Sequence, residues 1–268
     1  MESAHIKFEK LQELLQEMGS VAVAFSGGVD STFLLKVAHQ TLAENVLAIT
    51  AMSDLFPVRE MDEARDFAAA NGIRHIFYEM DEFAIDGFAE NLENRCYFCK
   101  RSLFSHFREI VAGHGMKYLA EGSNVDDDDS YRPGMRAIKE LGVVSPLREA
   151  GFTKAEIRQM SWEMNLPTWD KPSLACLASR FPYGEAITRE KLKTIEASEQ
   201  ILFDLGFRQV RVRHHGQLAR IEIDPMDMEK FLTSSIREII DSELKKSGFA
   251  YVTVDLQGYR TSGLEFKV

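Results

Sequence analysis

The residues with the clearest chemical signature lie at 26–31, where the sequence reads Ser-Gly-Gly-Val-Asp-Ser. Gly27 and Gly28 allow the backbone to take conformations, and to approach a ligand, that a Cβ atom would block. An apolar run at 21–25 precedes this segment and a second begins at Phe33, so the predicted order is buried strand, tight turn and helix. The turn directs free backbone N–H groups and the positive end of a helix at one point, which suits a phosphate or pyrophosphate.

The side chains of this segment suit the same ligand. Ser26 and Ser31 can donate hydroxyl hydrogen bonds to phosphate oxygens, and Asp30 can bind a Mg²⁺ ion that bridges them. The competing interpretation is a Gly-Gly turn before a capped helix, with serine and aspartate as ordinary capping residues. The complete Ser-Gly-Gly-x-Asp-Ser pattern after a strand favours the phosphate loop. No Gly-Lys-Ser/Thr follows it, so the signature of P-loop kinases and GTPases is absent.

Segment 26–31 resembles the pyrophosphate-binding loop of the PP-loop ATP pyrophosphatases, a superfamily that includes GMP synthetase, NAD synthetase, asparagine synthetase and tRNA thiolases. The resemblance implies a fold of the HUP type, and ATP and Mg²⁺ as cosubstrate and cofactor. ATP is then cut between its α and β phosphates, and AMP is placed on a carboxylate or carbonyl oxygen. Under this resemblance Asp30 is catalytic, and the segment as a whole binds ATP and pyrophosphate.

Composition narrows the class of protein. At 268 residues the chain can form one large domain or two modest ones, and a net charge of −10 disfavours a nucleic-acid partner. Residues 1–7 are charged and lack a signal-peptide core, and no apolar run reaches membrane-spanning length. Three cysteines do not make a secreted disulfide scaffold. We therefore expect a cytoplasmic protein that binds neither nucleic acid nor a membrane.

Strand and helix patterns alternate through most of the chain. Buried strands are predicted at 21–25, 46–52, 75–79, 118–122 and 143–147, and helices at 5–18, after the loop, from 57 to about 70 and from 153 to about 164. The alternation predicts an α/β fold with a doubly wound parallel sheet. Ligands of such sheets bind beyond the carboxyl ends of the strands, where segments 26–31, 52–54 and 121–124 fall.

The pattern changes after Gly184. A helix at 186–205, a hairpin of strands at 210–214 and 219–223, a helix at 226–246 and a strand at 251–256 predict a small α+β unit. We place the boundary near Gly184. The prediction is a PP-loop ATP pyrophosphatase domain at 1–184 and a smaller α+β domain at 185–268 for substrate binding or oligomerisation.

Three cysteines add a second kind of chemistry. Cys96 and Cys99 form a Cys-x-x-Cys pair, which can bind zinc, cycle as a redox disulfide or ligate an iron–sulfur cluster. A structural zinc site would need a second pair of ligands at similar spacing, and the sequence has none. A thioredoxin-like pair would directly follow a strand, whereas these cysteines follow a predicted loop. Two semi-buried cysteines in a helical turn are the alternative. Cys176 is either a core residue or, beside Ser179 and Arg180, a nucleophile or ligand.

Two interpretations of the three thiols stay open from the residues alone. Together they could ligate a [4Fe-4S] cluster that leaves one iron without a protein ligand and able to carry sulfide. Alternatively, Cys176 itself attacks and the other two cysteines are structural.

Three further segments resemble the LarE sulfur transferases of the same superfamily: 94–100, 175–184 and 255–260. The resemblance implies that the chain thiolates pyridinium-3,5-biscarboxylic acid mononucleotide on the route to the nickel-pincer cofactor of lactate racemase. It covers about residues 5–260, and the sequence departs from the usual LarE tail after Arg260.

LarE proteins come in two kinds. One has a single cysteine matching Cys176, which gives up its own sulfur and becomes dehydroalanine. The other has three cysteines, resembles cluster-bearing sulfur transferases and reloads from sulfide. Cys96, Cys99 and Cys176 match the second kind, which makes them the expected ligands of the cluster and Cys176 a catalytic residue.

The implied substrate has two carboxylates and a phosphate, so it needs several cations, preferably guanidinium groups. We expect Arg180, Arg211, Arg213 and Arg260 to bind it, and solvated strand arginines are the alternative for 211 and 213. The acidic run at 126–129 is interpreted as a solvated loop, with a metal near 123–124 as its competing role.

The expected partners are a small anionic nucleotide, sulfide or another sulfur donor, and further copies of the chain in a homo-oligomer. Two rival functions remain. Another PP-loop ligase or a tRNA thiolase would show a basic patch or an RNA-binding module, and a non-enzymatic regulator would bind ATP without releasing pyrophosphate.

Overall fold

The computed structural model of the chain describes residues 3–127, 133–172 and 175–260. The described α-helices are α1 Ala4–Met18, α2 Val29–Leu42, α3 Val58–Ala70, α4 Arg95–Gly113, α5 Pro133–Glu140, α6 Pro146–Glu149, α7 Lys154–Glu163, α8 Arg189–Asp204, α9 Met228–Phe231 and α10 Ser234–Lys246. The strands are β1 Val21–Ala24, β2 Val46–Met52, β3 Arg74–Glu79, β4 Tyr118–Ala120, β5 Val210–His215, β6 Leu218–Ile223 and β7 Tyr251–Val254. The chain divides into two compact units, one of Met1–Asp86 with Asn94–Lys171 and one of Gly87–Glu93 with Pro172–Val268.

The first unit is built on a parallel sheet with the strand order β3-β2-β1-β4. Apolar side chains cover both faces of this sheet: α1, α2, α3 and α7 contribute to one layer, and α4 and α5 to the other. Alternation along β1 places Val21 and Val23 in the first layer and Ala22 in the second. The prediction of a doubly wound α/β sheet is therefore confirmed.

Helix α2 is enclosed on nearly all sides. Phe33, Leu34 and Leu35 are consecutive and each has no exposed surface, which an amphipathic surface helix would not allow. The helix packs on α1 and α7 as well as on β1 and β2. Its first turn is therefore fixed at the carboxyl end of β1, where the glycine-containing loop lies.

The prediction of a fifth strand at 143–147 is wrong. Val144 makes one parallel bridge to Ala120, through hydrogen bonds of 2.9 Å from its N–H to Leu119 O and 3.0 Å from Glu121 N–H to its own carbonyl. Pro146 then has no N–H to continue the ladder, and it begins α6 instead. The apolar pattern of the segment comes from burial at the sheet edge rather than from a full strand.

The second unit contains a three-stranded sheet in the order β5-β6-β7. The predicted hairpin is present, with β5 antiparallel to β6, and β7 is parallel to β6. The prediction of a single helix at 226–246 is wrong. A 3₁₀ turn leads into α9, which ends at Phe231, and α10 begins only at Ser234. Thr233 separates them with extended backbone angles, as the N-cap position requires.

Segment 87–93 packs with the second unit. Asn91 donates through its side chain to Pro182 O at 2.7 Å and accepts at its carbonyl from Gly184 N–H at 3.0 Å. Ile187 N–H donates to Ala89 O at 2.8 Å. The division of function between residues 1–184 and 185–268 stays a prediction.

Some sequence-based interpretations fall on residues that lie outside the described ranges. These are Asp128 and Asp129 of the acidic run, and the departure from the LarE tail at 261–264. Within the described ranges, none of the helices combines the length and the apolar character needed to cross a lipid bilayer.

The start of α7 gives a test of local stability. Thr153 caps this helix with a capping box, in which its Oγ1 accepts from Glu156 N–H and Glu156 Oε2 accepts from Thr153 N–H at 2.8 Å. We expect Thr153→Ala to lower the free energy of unfolding by about 1 kcal/mol, measured by urea denaturation. Thr233→Ala is the control, since Thr233 precedes α10 without a side-chain cap bond. Equal stability of the Thr153 variant and the unmodified chain would contradict this account.

Candidate active site

The loop at 26–31 closes on itself through two serine hydroxyls. Ser31 Oγ accepts from Ser26 N–H at 3.2 Å and lies 3.1 Å from Ser26 Oγ. Gly28 is the N-cap residue of α2, and no side chain caps the helix there. The first N–H groups of α2 are therefore left for a ligand, which is the arrangement that binds anions at helix N-termini.

Two close backbone approaches depend on glycine. Gly27 has a φ of +70°, and a Cβ atom on it would lie 3.3 Å from both Ala64 Cβ and Glu60 O of α3. A Cβ atom on Gly122 would lie 3.1 Å from Ser31 N. Neither position accommodates a side chain without displacing its neighbours, so the loop is tightly enclosed by α3 and by the residues after β4.

Asp30 lies in the first turn of α2 and contacts two polar side chains, one in the segment after β4 and one at the start of α7. Asn124 Nδ2 donates to Asp30 Oδ1 at 3.3 Å, and Lys154 Nζ forms an ion pair with Oδ2. Arg148 orients Asn124 by donating from Nε to its carbonyl at 3.2 Å. The carboxylate of Asp30 is therefore positioned at the loop, about a quarter exposed, beside a cation.

A second lysine lies at the loop from the other side. Lys171 Nζ donates to Gly27 O at 3.0 Å and forms ion pairs with Glu60 at 2.5 Å and Glu63 at 2.6 Å. Sequence reasoning missed both Lys154 and Lys171. For Lys154 the available signal was its place directly after Thr153, at the start of a predicted helix. For Lys171 it was only its position a few residues before the segment 175–184.

A buried carboxylate organises the turn after β4. Glu121 is 8% exposed, and it accepts hydrogen bonds from Ser123 N–H, Ser123 Oγ and Ser145 Oγ. These bonds fix the chain direction just before Asn124, which reaches Asp30. The predicted segment at 121–124 therefore does lie at the carboxyl end of the sheet, next to the loop.

Cys96 and Cys99 lie near the start of α4, three residues apart and so on one face of the helix. Neither residue forms a disulfide among the described residues, both are half-buried, and turns rather than a strand precede them. Cys176 belongs to the second unit, where it precedes the 3₁₀ helix Leu177–Arg180. In residues 3–127, 133–172 and 175–260, no group of three His, Cys, Asp or Glu side chains is placed to bind a metal.

Two of the predicted substrate arginines are buried in ion pairs within the second unit. Arg180 donates to both carboxylate oxygens of Glu199 at 2.8 and 2.9 Å, and Arg213 donates to both of Glu222 at 2.9 Å. Each arginine is 1% exposed. Both also bind Ser179: Arg180 Nη1 reaches its hydroxyl at 2.9 Å, and Arg213 Nη1 reaches its carbonyl at 2.7 Å.

Known proteins resemble this chain along nearly its whole length, although no protein-family model matches it. It is 43% identical over 259 residues to an uncharacterized protein of Synechocystis, with 96% of each chain covered. It is 37% identical over 248 residues to the pyridinium-3,5-bisthiocarboxylic acid mononucleotide synthase of Lactiplantibacillus plantarum, with 92% of this chain and 89% of that protein covered. The chain belongs to the LarE family.

A more distant similarity relates this LarE chain to the PP-loop ATP pyrophosphatases. It is 28% identical over 204 residues to a glutamine-hydrolyzing GMP synthase chain of Thermoplasma volcanium, with 69% of this chain and 63% of that protein covered. The parallel sheet with a glycine-containing loop after β1 agrees with this relationship, so the predicted PP-loop fold is confirmed.

The other two predicted arginines of this LarE protein differ in exposure. Arg211 is 5% exposed, lies over the Tyr259 ring at 4.5 Å and donates to Arg260 O at 3.0 Å. Burial lowers the pKa of Arg211, and no carboxylate lies within ion-pair distance of it among the described residues. Arg260 has a side chain 45% exposed and bonds Gln257 and Asp255. Substrate binding by the four arginines stays a prediction.

The buried ion pairs make a prediction about stability. Arg213→Ala leaves the Glu222 carboxylate buried with only the partial compensation of Arg220, so we expect a loss of about 3–5 kcal/mol in the free energy of unfolding. Arg260→Ala removes an exposed arginine with a weak ion pair, and its expected cost is below about 1 kcal/mol. Urea denaturation followed by circular dichroism measures both. Equal losses for the two variants would refute the difference in burial.

Proposed function

We propose that this LarE protein uses ATP to convert a carboxylate of pyridinium-3,5-biscarboxylic acid mononucleotide into a thiocarboxylate. The observation that carries the proposal is the loop at 26–31, with the uncapped N-terminus of α2 and Asp30 beside it. The name of the Lactiplantibacillus plantarum relative supports the substrate class, and the GMP synthases support the use of ATP.

The chemistry needs activation because a carboxylate does not expel oxygen readily. A carboxylate oxygen of the substrate attacks the α phosphorus of ATP, the α–β bond breaks and pyrophosphate leaves. A sulfur nucleophile then attacks the acyl carbon, and the C–O bond to AMP breaks. If the nucleophile is sulfide, the products are the thiocarboxylate, AMP and pyrophosphate, and no electrons are transferred. If it is the Cys176 thiolate, attack gives a thioester; loss of the Cys176 Cα proton and cleavage of its Cβ–S bond then release the thiocarboxylate and leave dehydroalanine, again without net electron transfer.

The residues at the loop suit the first step. Backbone N–H groups of α2 and the hydroxyls of Ser26 and Ser31 can donate to phosphate oxygens. Mg²⁺ usually binds through one or two carboxylates together with substrate phosphates, and Asp30 supplies such a carboxylate. When bound, Mg²⁺ would neutralise charge on the leaving pyrophosphate.

Lys154 and Lys171 complete this site with positive charge. In the free chain each ammonium group pairs with carboxylates: Asp30 for the first, and Glu60 and Glu63 for the second. A bound triphosphate with Mg²⁺ on Asp30 competes for both lysines. We therefore infer that the lysines bind phosphate oxygens once ATP is present, which places charge where the α–β bond breaks.

For the sulfur source we propose a [4Fe-4S] cluster bound by the three cysteines. Cys96 and Cys99 share one face of α4 and are half-buried, and thiolates are the usual ligands of iron–sulfur clusters, so under this proposal they are two of the ligands and Cys176 is the third. Such a cluster would supply sulfide to the activated carboxylate. The alternative is a sacrificial Cys176 that loses its own sulfur, which leaves Cys96 and Cys99 with a structural role.

For substrate binding we propose the cations of the second unit, with Arg211 as the primary anion ligand. Its charge is buried without a carboxylate partner among the described residues. An anionic substrate would therefore compensate the buried charge of Arg211 more than that of the other three arginines. Arg180 and Arg213 are buried and already paired, so under this proposal they contribute to the substrate site by holding Ser179 in position. Arg260 is exposed and can reach a phosphate.

The role of Asp30 predicts a specific loss. We expect Asp30→Ala to abolish pyrophosphate release from MgATP while the unfolding transition stays cooperative, because the side chain serves the metal and not the core. Asp62→Ala is the matched control, since Asp62 is an exposed aspartate paired with Arg65 on α3. Pyrophosphate release by the Asp30 variant at the wild-type rate would contradict the proposed site.

The cysteines predict the number of turnovers. Protein purified and reconstituted without oxygen should contain iron and sulfide, and added sulfide should support many turnovers with Cys176 intact. Cys96→Ala and Cys99→Ala should then lose activity as completely as Cys176→Ala, because all three thiolates are required to hold the open-site form of the cluster.

The opposite result is equally specific. Protein without iron, one product per chain and a residue 176 lighter by the elements of H₂S would replace the cluster by the sacrificial cysteine. A Cys96→Ala variant that still thiolates the substrate once per chain would likewise show that Cys176 is the sulfur donor. Neither outcome would affect the assignment of the ATP site.

A further inference from the structure

A buried hydroxyl bonds the backbone where β1 passes into the phosphate loop. Thr50 lies on β2, is 5% exposed and donates from Oγ1 to Phe25 O at 2.6 Å. His75 on β3 places its Nε2 atom 2.7 Å from the same hydroxyl. Phe25 is the residue directly before Ser26, so this chain of bonds ends on the first peptide of the loop.

The direction of the bonds follows from counting protons. A threonine hydroxyl has one proton, and the carbonyl of Phe25 can only accept, so Thr50 donates to it. His75 Nε2 must then donate to Thr50, which requires the neutral tautomer with its proton on Nε2. Burial, with a smaller effect of Arg65, lowers the pKa of His75 to about 4, so the ring is neutral at physiological pH.

The same peptide is fixed on its other edge. Ser26 N–H donates to Ser31 Oγ at 3.2 Å, while Phe25 C=O accepts from Thr50. The plane of the Phe25–Ser26 peptide is therefore set by bonds from two different elements, α2 and β2. Rotation of this plane would turn the N–H groups that follow, including those of Gly27 and Gly28, away from a common point.

The polar pair is costly to bury, so packing alone does not explain it. His75 Nδ1 is buried without a hydrogen-bond partner among the described residues. The centroid of the His75 ring lies 5.7 Å from that of Phe25 and 4.2 Å from that of Phe77. An apolar side chain at position 75 would fill this space without leaving an unsatisfied atom. The imidazole adds one hydrogen-bond donor to Thr50 Oγ1. This bond leaves the Thr50 hydroxyl proton to donate to Phe25 O.

We propose that Thr50 and His75 are positioning residues that orient the phosphate loop for ATP. They act through the Phe25–Ser26 peptide and do not touch the nucleotide themselves. This inference rests on the proposed ATP site, and it adds two residues on β2 and β3 that no sequence motif of the loop contains.

The test measures MgATP binding by the full chain, by titration calorimetry, in four forms. We expect Thr50→Val to raise the Kd about ten-fold, because it removes the donor from a buried carbonyl and frees the peptide. Thr50→Ser keeps the donor and should bind within about two-fold of wild type. Thr41→Val is the control, since Thr41 Oγ1 donates to Val37 O at 2.8 Å at the far end of α2 and should leave the Kd unchanged.

A second pair of variants keeps the inference testable if Thr50→Val does not fold. His75→Gln retains an N–H near the Nε2 position and should bind MgATP like wild type, whereas His75→Leu should weaken binding. In kinetics, the weak binders should show a raised KM for ATP with a smaller change in kcat for pyrophosphate release. Nitrogen NMR of the wild-type ring should report the Nε2–H tautomer.

The outcomes separate this inference from the function on which it rests. If wild type binds MgATP and Thr50→Val binds it equally well, or His75 carries its proton on Nδ1, the positioning role is wrong and the ATP site stands. If Thr50→Ser fails to restore binding, a role for the hydroxyl is likewise wrong. If wild type does not bind MgATP, the proposed function fails and this inference fails with it.

Discussion

The N-cap residue of helix α2 is Gly28, so no side chain caps the start of this helix. The other features of the site in the first unit depend on this uncapped start. An uncapped helix start leaves backbone donors unsatisfied, which is tolerable only where solvent or an anion can reach them. The interior of the helix is fully enclosed, so its first turn cannot move to relieve this. The electrostatics of the loop, with a carboxylate on Asp30 and two lysines beside it, follow from this constraint.

The two lysines show how the free chain tolerates a site for a highly charged ligand. Lys154 and Lys171 pair with three carboxylates from α2 and α3, so both ammonium charges are compensated without a nucleotide. Under the proposed function, binding a triphosphate exchanges these ion pairs for contacts with phosphate oxygens. Such an exchange involves groups that are already positioned, so little conformational entropy is lost when the ligand binds.

Local pattern was sufficient to predict the loop, the order of the strands along the chain and the hairpin of β5 and β6. These features depend on glycines, on apolar runs and on alternation, all of which act within a few residues. Pro146 shows where such patterns mislead, because an apolar run next to it looks like a strand although the ladder stops after one bridge. The break before α10 at Thr233 was hidden by a continuous helical periodicity.

The contacts that could not be predicted are those between residues far apart in the chain. The Lys171 contact to Gly27 O spans 144 residues, and the Asp30 pair with Lys154 spans 124. Thr50 and His75 carried no signal at all, since their significance lies in one carbonyl on a neighbouring strand. Arg180 and Arg213 were expected to bind the substrate, and only the fold reveals that their guanidinium groups are paired with Glu199 and Glu222.

The central claim is that ATP cleavage at the α–β bond is coupled to replacement of a carboxylate oxygen by sulfur. The most direct measurement supplies MgATP, the pyridinium biscarboxylate mononucleotide and sulfide to the reconstituted protein without oxygen, and follows products by mass spectrometry. The account predicts AMP and pyrophosphate in equal amounts, together with a substrate in which sulfur has replaced oxygen. Release of ADP and phosphate, or AMP without any sulfur in the substrate, would contradict it.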